Sequence, residues 1–369
     1  MTPLESLRSC GSKIWLDSVD PAEIARQLPW GITGATSNPL IIAELIQSGR
    51  FDAELHALLA QTADDETVAW KLTDQLVSQA ERVFRSVWES TGGEDGYVSF
   101  ELDPLLESAE AKLSESGRIP RYVAEALRWS EGHPNRLIKV PATASGLAAL
   151  PEIVGRGVNV NVTLIFTARQ YTQAREAVWQ GARQRRDLRH FKSVYSIFVS
   201  RLDVYADKYL PQLDFATRGQ LGILNAKRIW RMNQAYWQEH PTPLRQEIVF
   251  ASTGTKRPGE EPWKYLEAFA GGDILTNPPA THAQTHAASI TFIRRIEELP
   301  PEPVVQLLDQ HVDYEHLEAT LLAEGVDKFV QPQRQLLDLI ARRRRGISGP
   351  AGAGGVSSPG SVAATARQG

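Results

Sequence analysis

Residues 158–199, VNVNVTLIFTARQYTQAREAVWQGARQRRDLRHFKSVYSIFV, set the reading of the whole chain. Residues 158–164 are β-branched or apolar at most positions, and 193–199 repeat that character, as two short buried strands would. Between them, in Ala168–Ala182, Tyr171, Ala174, Ala177 and Val178 recur at helical spacing. Two strands joined by a helix of this length form a crossover unit, which makes the strands parallel neighbours in one sheet.

The same alternation extends outward. Apolar runs at 14–18, 31–36, 97–102, 136–140, 158–164, 193–199, 247–252 and 273–276 give eight candidate strands. Helical stretches separate them, including 104–127 and 204–239, the second long enough for more than one helix. The interval from Thr36 to Tyr97 is too long for a single crossover helix and predicts extra helices. Eight strand–helix units are the number that closes a barrel; an open doubly wound sheet also suits the alternation, but no Gly-x-Gly-x-x-Gly follows the first strand. The expected fold is therefore α/β, a single (β/α)8 TIM barrel over residues 1–345 with additional helices. Residues 346–369 are rich in Gly, Ser, Ala and Pro and predict a flexible C-terminal tail. Arg342–Arg345 just before it read as cationic charge at a helix C-terminus, after Leu336–Ile340, in preference to a phosphate patch.

Composition narrows the function. A net charge of -4 and a pI near 6.1 disfavour general binding to nucleic acid or anionic membranes. The single cysteine, Cys10, excludes an intrachain disulfide and a multi-cysteine zinc site. The N-terminal residues lack the apolar core of a signal peptide, and no apolar run approaches a bilayer span, so a cytoplasmic protein is expected.

In a barrel of this kind, chemistry sits at the C-terminal ends of the strands. Polar residues fall there in order: Asp17; Thr36, Ser37 and Asn38; Glu101 and Asp103; Lys139; Asn161 and Thr163; Ser196 and Arg201; Ser252 and Lys256. Each alone suits a cap or a salt bridge. Together they converge on one face from seven of the eight strands. Lys139 stands out because Leu137-Ile138-Lys139-Val140-Pro141 is otherwise apolar. Such a lysine either snorkels to water or pairs with a carboxylate, or it serves as a nucleophile. An ordinary lysine is a free amine only about once in 2,500 at neutral pH, so carbonyl attack requires an environment that disfavours the ammonium. Asp17 and Glu101, on separate strands, could divide the proton transfers that imine formation and carbon–carbon cleavage need; each is equally suited to a structural ion pair. Ala251-Ser252-Thr253-Gly254-Thr255-Lys256 reads either as an anion-binding loop or as a polar loop with an exposed lysine. His282 and His286, four apart, read as a solvated helix face rather than metal ligands, and no metal or cofactor is expected.

These segments carry a resemblance. Gly34-Ala35-Thr36-Ser37-Asn38-Pro39, Leu137–Thr143, Asn159–Phe166 and Ser193–Arg201, with Ile14–Asp17 and Ala251–Lys256, resemble the transaldolase family in order and approximate spacing. The likeness runs from about residue 5 to 340 and is greatest to the longer bacterial type with an Ala-Ser-Thr-Gly-Thr-Lys motif. It implies transfer of a dihydroxyacetone unit from sedoheptulose 7-phosphate to glyceraldehyde 3-phosphate, giving erythrose 4-phosphate and fructose 6-phosphate in the non-oxidative pentose phosphate pathway. Small sugar phosphates would then be the partners, with no nucleic acid or membrane. By the same resemblance Lys139 forms the Schiff base and Asp17 is the base for cleavage. Glu101 and Thr163 position a water that relays protons. Asn38 and Ser196 hold the terminal hydroxyl of the bound unit, and Asn161 lies beside the imine. Arg201, Ser252 and Lys256 bind phosphate. Phe198, where related aldolases carry Tyr, favours transfer over simple aldol addition. Alternatives are an imine-forming aldolase that releases free product, and a non-catalytic sugar-phosphate-binding barrel. The sequence departs from the family pattern at 272–281, at Ile197 and at 94–97.

Overall fold

The computed structural model describes residues 1–348; most of the segment expected to form a tail, from residue 349 on, lies outside the described residues. Eight parallel strands close a barrel in sequential order: β1 (Lys13–Leu16), β2 (Gly34–Thr36), β3 (Val98–Glu101), β4 (Arg136–Pro141), β5 (Val160–Ile165), β6 (Ser193–Phe198), β7 (Glu247–Ala251) and β8 (Ile274–Asn277). The barrel, and not the open sheet, is the fold, since β8 pairs back onto β1 through Lys13 with Ile274 and Leu16 with Asn277. Every expected strand exists, most of them shorter or shifted by a residue or two. Gly31 takes φ +87 at the end of the 3-10 turn Leu28–Trp30, which delays β2 to Gly34.

Side chains alternate in and out along each strand. Trp15, Leu137, Val194, Val249 and Ile274 pack with Tyr97 into an apolar plug at the N-terminal end of the barrel. Two residues further along the same strands stand Asp17, Lys139 and Ser196, so the plug is the platform on which the polar layer rests. Gly34 is required there: a Cβ would lie 2.6 Å from Trp15 Nε1.

The helix Ala168–Ala182 spans the residues its pattern predicted. The long interval after β2 holds the helices Pro39–Gln47, Asp52–Gln61 and Asp65–Ser90. Residues 204–239 divide among Ser200–Tyr209, Phe215–Arg218 and Leu221–Glu239. The expected helix over 104–127 is corrected: two 3-10 turns, Pro104–Glu107 and Ala109–Ala111, precede a helix Glu115–Ser130. Lys112 in the left-handed region breaks the chain there, and the Ser114 side chain caps the new start. A 35-residue helix, Tyr314–Ser348, ends the described chain and crosses the C-terminal mouth of the barrel. It packs on Pro39–Gln47, Asp65–Ser90 and Pro104–Glu107. Arg343 pairs with Asp52 at 3.4 Å and Arg344 with Asp65 at 2.7 Å, so these two arginines help anchor the helix.

Candidate active site

Lys139 projects into the mouth with only 5% of its surface exposed. Its Nζ donates to the Ser37 carbonyl at 3.1 Å and lies 2.8 Å from Glu101 Oε2, an ion pair outside hydrogen-bonding geometry. The pairing follows from register, since Glu101 on β3 sits beside Lys139 on β4, and Asn161 on β5 sits on the other flank. Burial raises the Glu101 carboxyl pKa, Lys139 opposes that rise, and Asp17 adds to it. A carboxylate held this way is ready to take a proton. Above the ammonium lies the Phe329 ring, 5.4 Å from Nζ to its centroid, contributed by the C-terminal helix.

Asn161 is fully buried and bridges strands: its Nδ2 donates to Ser99 Oγ at 2.9 Å, and its Oδ1 accepts from Ser196 Oγ at 2.7 Å. Two committed hydrogen bonds hold the amide face beside Lys139. Thr163, also fully buried, is different: its Oγ1 has no hydrogen-bond partner among the described residues. The next residue, Leu164, takes φ +57, and the β5–β6 register slips between Val162 and Ile165. A bulky residue in that region is strained by about 1–3 kcal/mol and is retained where the surroundings impose it. Here the bulge keeps Thr163 in the mouth while Leu164 packs outward with Phe166, Phe198 and Phe329.

Asp17 follows β1, half-buried, and accepts from Thr36 Oγ1 at 2.8 Å; that hydroxyl also meets Thr276 Oγ1 at 2.8 Å. Asn38 caps the helix Pro39–Gln47, its Oδ1 accepting from Ile41 N at 3.0 Å. Ser252 takes φ +56 beyond β7, with its Oγ 3.0 Å from Ser200 Oγ. Phe198 meets Phe166 edge to face, and the Arg201 guanidinium lies over the Phe198 ring at 4.9 Å. Arg201 Nη1 is buried and has no hydrogen-bond partner among the described residues. Burial pushes its pKa down to about 10, against the attraction of Glu324, Asp17 and Glu101.

A cavity of about 500 Å³ joins these groups. Asp17, Asn38, Lys139, Ser196, Phe198, Arg201, Ser252 and Lys256 line it, while Glu101, Asn161 and Thr163 stand behind that wall, against Lys139 or in the layer around it. The sequence reading missed the wall made by Lys328, Phe329, Gln331 and Gln335. Their helical pattern was legible, but the barrel end that the helix crosses is a tertiary choice with no local signal. The histidine reading needs correction at His282, which is fully buried. Its ring bridges Gln27 Oε1 at 2.8 Å and Asn277 Nδ2 at 2.9 Å, and burial lowers its pKa to about 3, so it is a neutral strut. His286 stacks on Trp30 instead. Among the described residues no three His, Cys, Asp or Glu side chains cluster as metal ligands would, and no helix is long and apolar enough to cross a membrane.

Comparison with known proteins agrees with this geometry. The family model for transaldolase/fructose-6-phosphate aldolase matches residues 14–340. A transaldolase of Thermobifida fusca is 33% identical, over 93% of this chain and 98% of that protein. One from Acidothermus cellulolyticus is 31% identical, over 93% and 99% respectively. Transaldolase 2 of Streptomyces avermitilis is also 31% identical, over 90% and 95%. With likeness of this extent laid over a closed barrel and a buried lysine at its mouth, the chain belongs to the transaldolase/fructose-6-phosphate aldolase family.

Proposed function

We propose that this enzyme of the transaldolase family transfers a dihydroxyacetone unit from sedoheptulose 7-phosphate to glyceraldehyde 3-phosphate through an imine on Lys139. The observation that carries the reading is the buried Lys139–Glu101 pair at 2.8 Å, opening on a cavity that also contains Asp17 and Arg201. Glu101 takes the ammonium proton, and the free amine attacks the ketose carbonyl to give a carbinolamine. Loss of its hydroxyl as water, with the proton supplied through Glu101 and the unpartnered Thr163 hydroxyl, leaves the imine. Asp17 then removes the C4 hydroxyl proton. The C3–C4 bond breaks, the aldehyde leaves, and the electron pair is held as an enamine conjugated to the Lys139 nitrogen. The acceptor aldehyde reverses these steps from the other side, and hydrolysis frees Lys139.

Asn38 and Ser196 hold the terminal hydroxyl of the bound unit, and Asn161 fixes Ser196 through its 2.7 Å hydrogen bond. Arg201, Ser252 and Lys256 receive the phosphate. Phe198 offers no hydroxyl to protonate the enamine, which leaves the enamine for the acceptor. The reaction needs no cofactor, and its place is the non-oxidative pentose phosphate pathway of the cytoplasm, on small sugar phosphates and without nucleic-acid or membrane partners. Borohydride reduction in the presence of fructose 6-phosphate, followed by peptide mass mapping, tests this: the adduct falls on Lys139. No adduct there returns the barrel to a binding role. Rapid release of free dihydroxyacetone without acceptor makes it an aldolase.

A further inference from the structure

Three cations meet at one side of the cavity: Arg201 from the first turn of the helix Ser200–Tyr209 after β6, Lys256 from the loop after β7, and Lys328 from the C-terminal helix. Among the described residues none of the three has a carboxylate within 4.0 Å, although other cations in the molecule are extensively paired. Their mutual proximity shows at Lys328, whose pKa is lowered first by burial and then by Arg201 and Lys256, with Glu324 opposing. Asp327 also lines the cavity, but it accepts from Gln331 Nε2 at 3.1 Å along its own helix.

The helix is shaped for this meeting. Gly325 stands in its interior, where glycine costs roughly 1 kcal/mol relative to alanine. A Cβ at that position would lie 3.0 Å from Leu164 Cδ2 and 3.3 Å from Arg201 Nη1. Lys328, Gln331 and Gln335 follow at spacings of three and four, so they share the face that Gly325 turns toward Arg201. The glycine makes a notch for the guanidinium, and one turn later the same face delivers an ammonium and then two amides to the cavity.

We propose that Lys328 is a third cationic partner of the substrate phosphate and that Gly325 is the notch that lets Arg201 reach the same anion. The C-terminal helix is then a specificity element that selects phosphomonoesters over uncharged ketones. The inference rests on the reading of Arg201, Ser252 and Lys256 as the phosphate end of the cavity.

The test uses the full-length enzyme with inorganic phosphate as a competitive probe and fructose 6-phosphate as donor. Lys328→Gln raises the phosphate inhibition constant and the donor KM about tenfold, the lower end for hydrogen bonds to charged groups, with a smaller effect on kcat. The penalty shrinks at high salt, because an exposed ammonium is screened, and Lys328→Arg restores most of the affinity. Lys71→Gln, which removes an exposed charge on the helix Asp65–Ser90, is the control for net charge. A phosphate constant for Lys328→Gln no weaker than that of the control overturns the proposal. If Arg201→Met weakens phosphate at the same time, the phosphate reading survives and only the part given to Lys328 and the helix is lost. If Arg201→Met leaves phosphate unchanged as well, the phosphate reading falls with it.

Discussion

Arg201→Met should make the free enzyme more stable and a poorer binder of phosphorylated donors. The guanidinium is largely buried, one of its nitrogens has no hydrogen-bond partner among the described residues, and its pKa falls from the ordinary arginine value to about 10. Each tenfold fall in proton affinity is about 1.4 kcal/mol, so the environment disfavours the cation by about 3 kcal/mol, an upper bound on what the free fold loses. Methionine keeps most of the aliphatic volume against Phe198 and Leu164 and removes the charge. Unfolding of the free variant should therefore require about 1–3 kcal/mol more, a rise of a few degrees in melting temperature for a domain of this size. Phosphate compensates the wild-type cation and not the variant. Adding inorganic phosphate should then raise the wild-type melting temperature more than that of Arg201→Met. In steady-state assays the KM for fructose 6-phosphate should rise about tenfold to a hundredfold, as loss of a charge-assisted contact worth about 1.5–3 kcal/mol requires. The rise should be smaller for an unphosphorylated donor. A variant less stable than wild type without phosphate, or equal penalties with both donors, would show that Arg201 is structural and refute the reasoning.

Lys139→Ala should abolish borohydride trapping and transfer while preserving the fold, because burial raises the Glu101 carboxyl pKa and loss of Lys139 removes the group that opposes that rise; trapping that persists places the nucleophile elsewhere. Glu125 is pushed to about 8 by burial and by Asp103, so the folded protein holds a proton that the unfolded chain releases above about pH 4.3. Stability should fall as pH climbs from there through 8, and Glu125→Gln should gain in melting temperature over wild type between pH 6 and pH 9; parallel curves would refute the linkage. Truncation after Ser348 should leave kcat and melting temperature unchanged, since residues 349–369 are mostly Gly, Ser, Ala and Pro; a large loss of either would show that this segment docks.

Much of the barrel was legible because local pattern and global fold agree along it. In Leu137–Val140 an apolar strand carries one polar interruption, and that interruption faces the mouth. Ala168–Ala182 shows helical period, a Thr167 cap and no internal breaker, and its bounds follow. What escaped the sequence depends on partners distant in the chain. The left-handed Leu164 lies in VNVTLI, which reads as plain strand; the bulge is imposed by packing against Phe166, Phe198 and the C-terminal helix. His282, in a run that looks solvated, is buried because Gln27 Oε1 accepts from its Nδ1 and Asn277 Nδ2 donates to its Nε2. Phe329 and Lys328 belong to an unremarkable amphipathic stretch until the helix is seen to cross the cavity.

The two ends of the barrel handle charge in opposite ways, and this assigns a role to the segment 94–97, a departure from the family pattern. At the N-terminal end, Lys13 and Lys192 both reach Glu247, at 2.7 and 2.5 Å. Burial alone would raise that carboxyl, but Lys192, Lys13 and Arg245 outweigh it and hold it near a pKa of about 2. The Glu94 carbonyl accepts from Lys13 at 2.6 Å, and Asp95 Oδ1 accepts from the Trp15 indole at 2.9 Å. The unusual segment is thus the seal over the apolar plug, with Glu94 paired to Lys192 and Arg245 inside the protein. At the other end Arg201, Lys256 and Lys328 have no carboxylate in salt-bridge range among the described residues. A compensated buried network specifies one packing and leaves little to offer a ligand, whereas an uncompensated cation is stabilised when an anion arrives. Sequence variation at 94–97 therefore acts on stability, at the barrel end where these folds do no chemistry, and leaves the residues around Lys139 untouched.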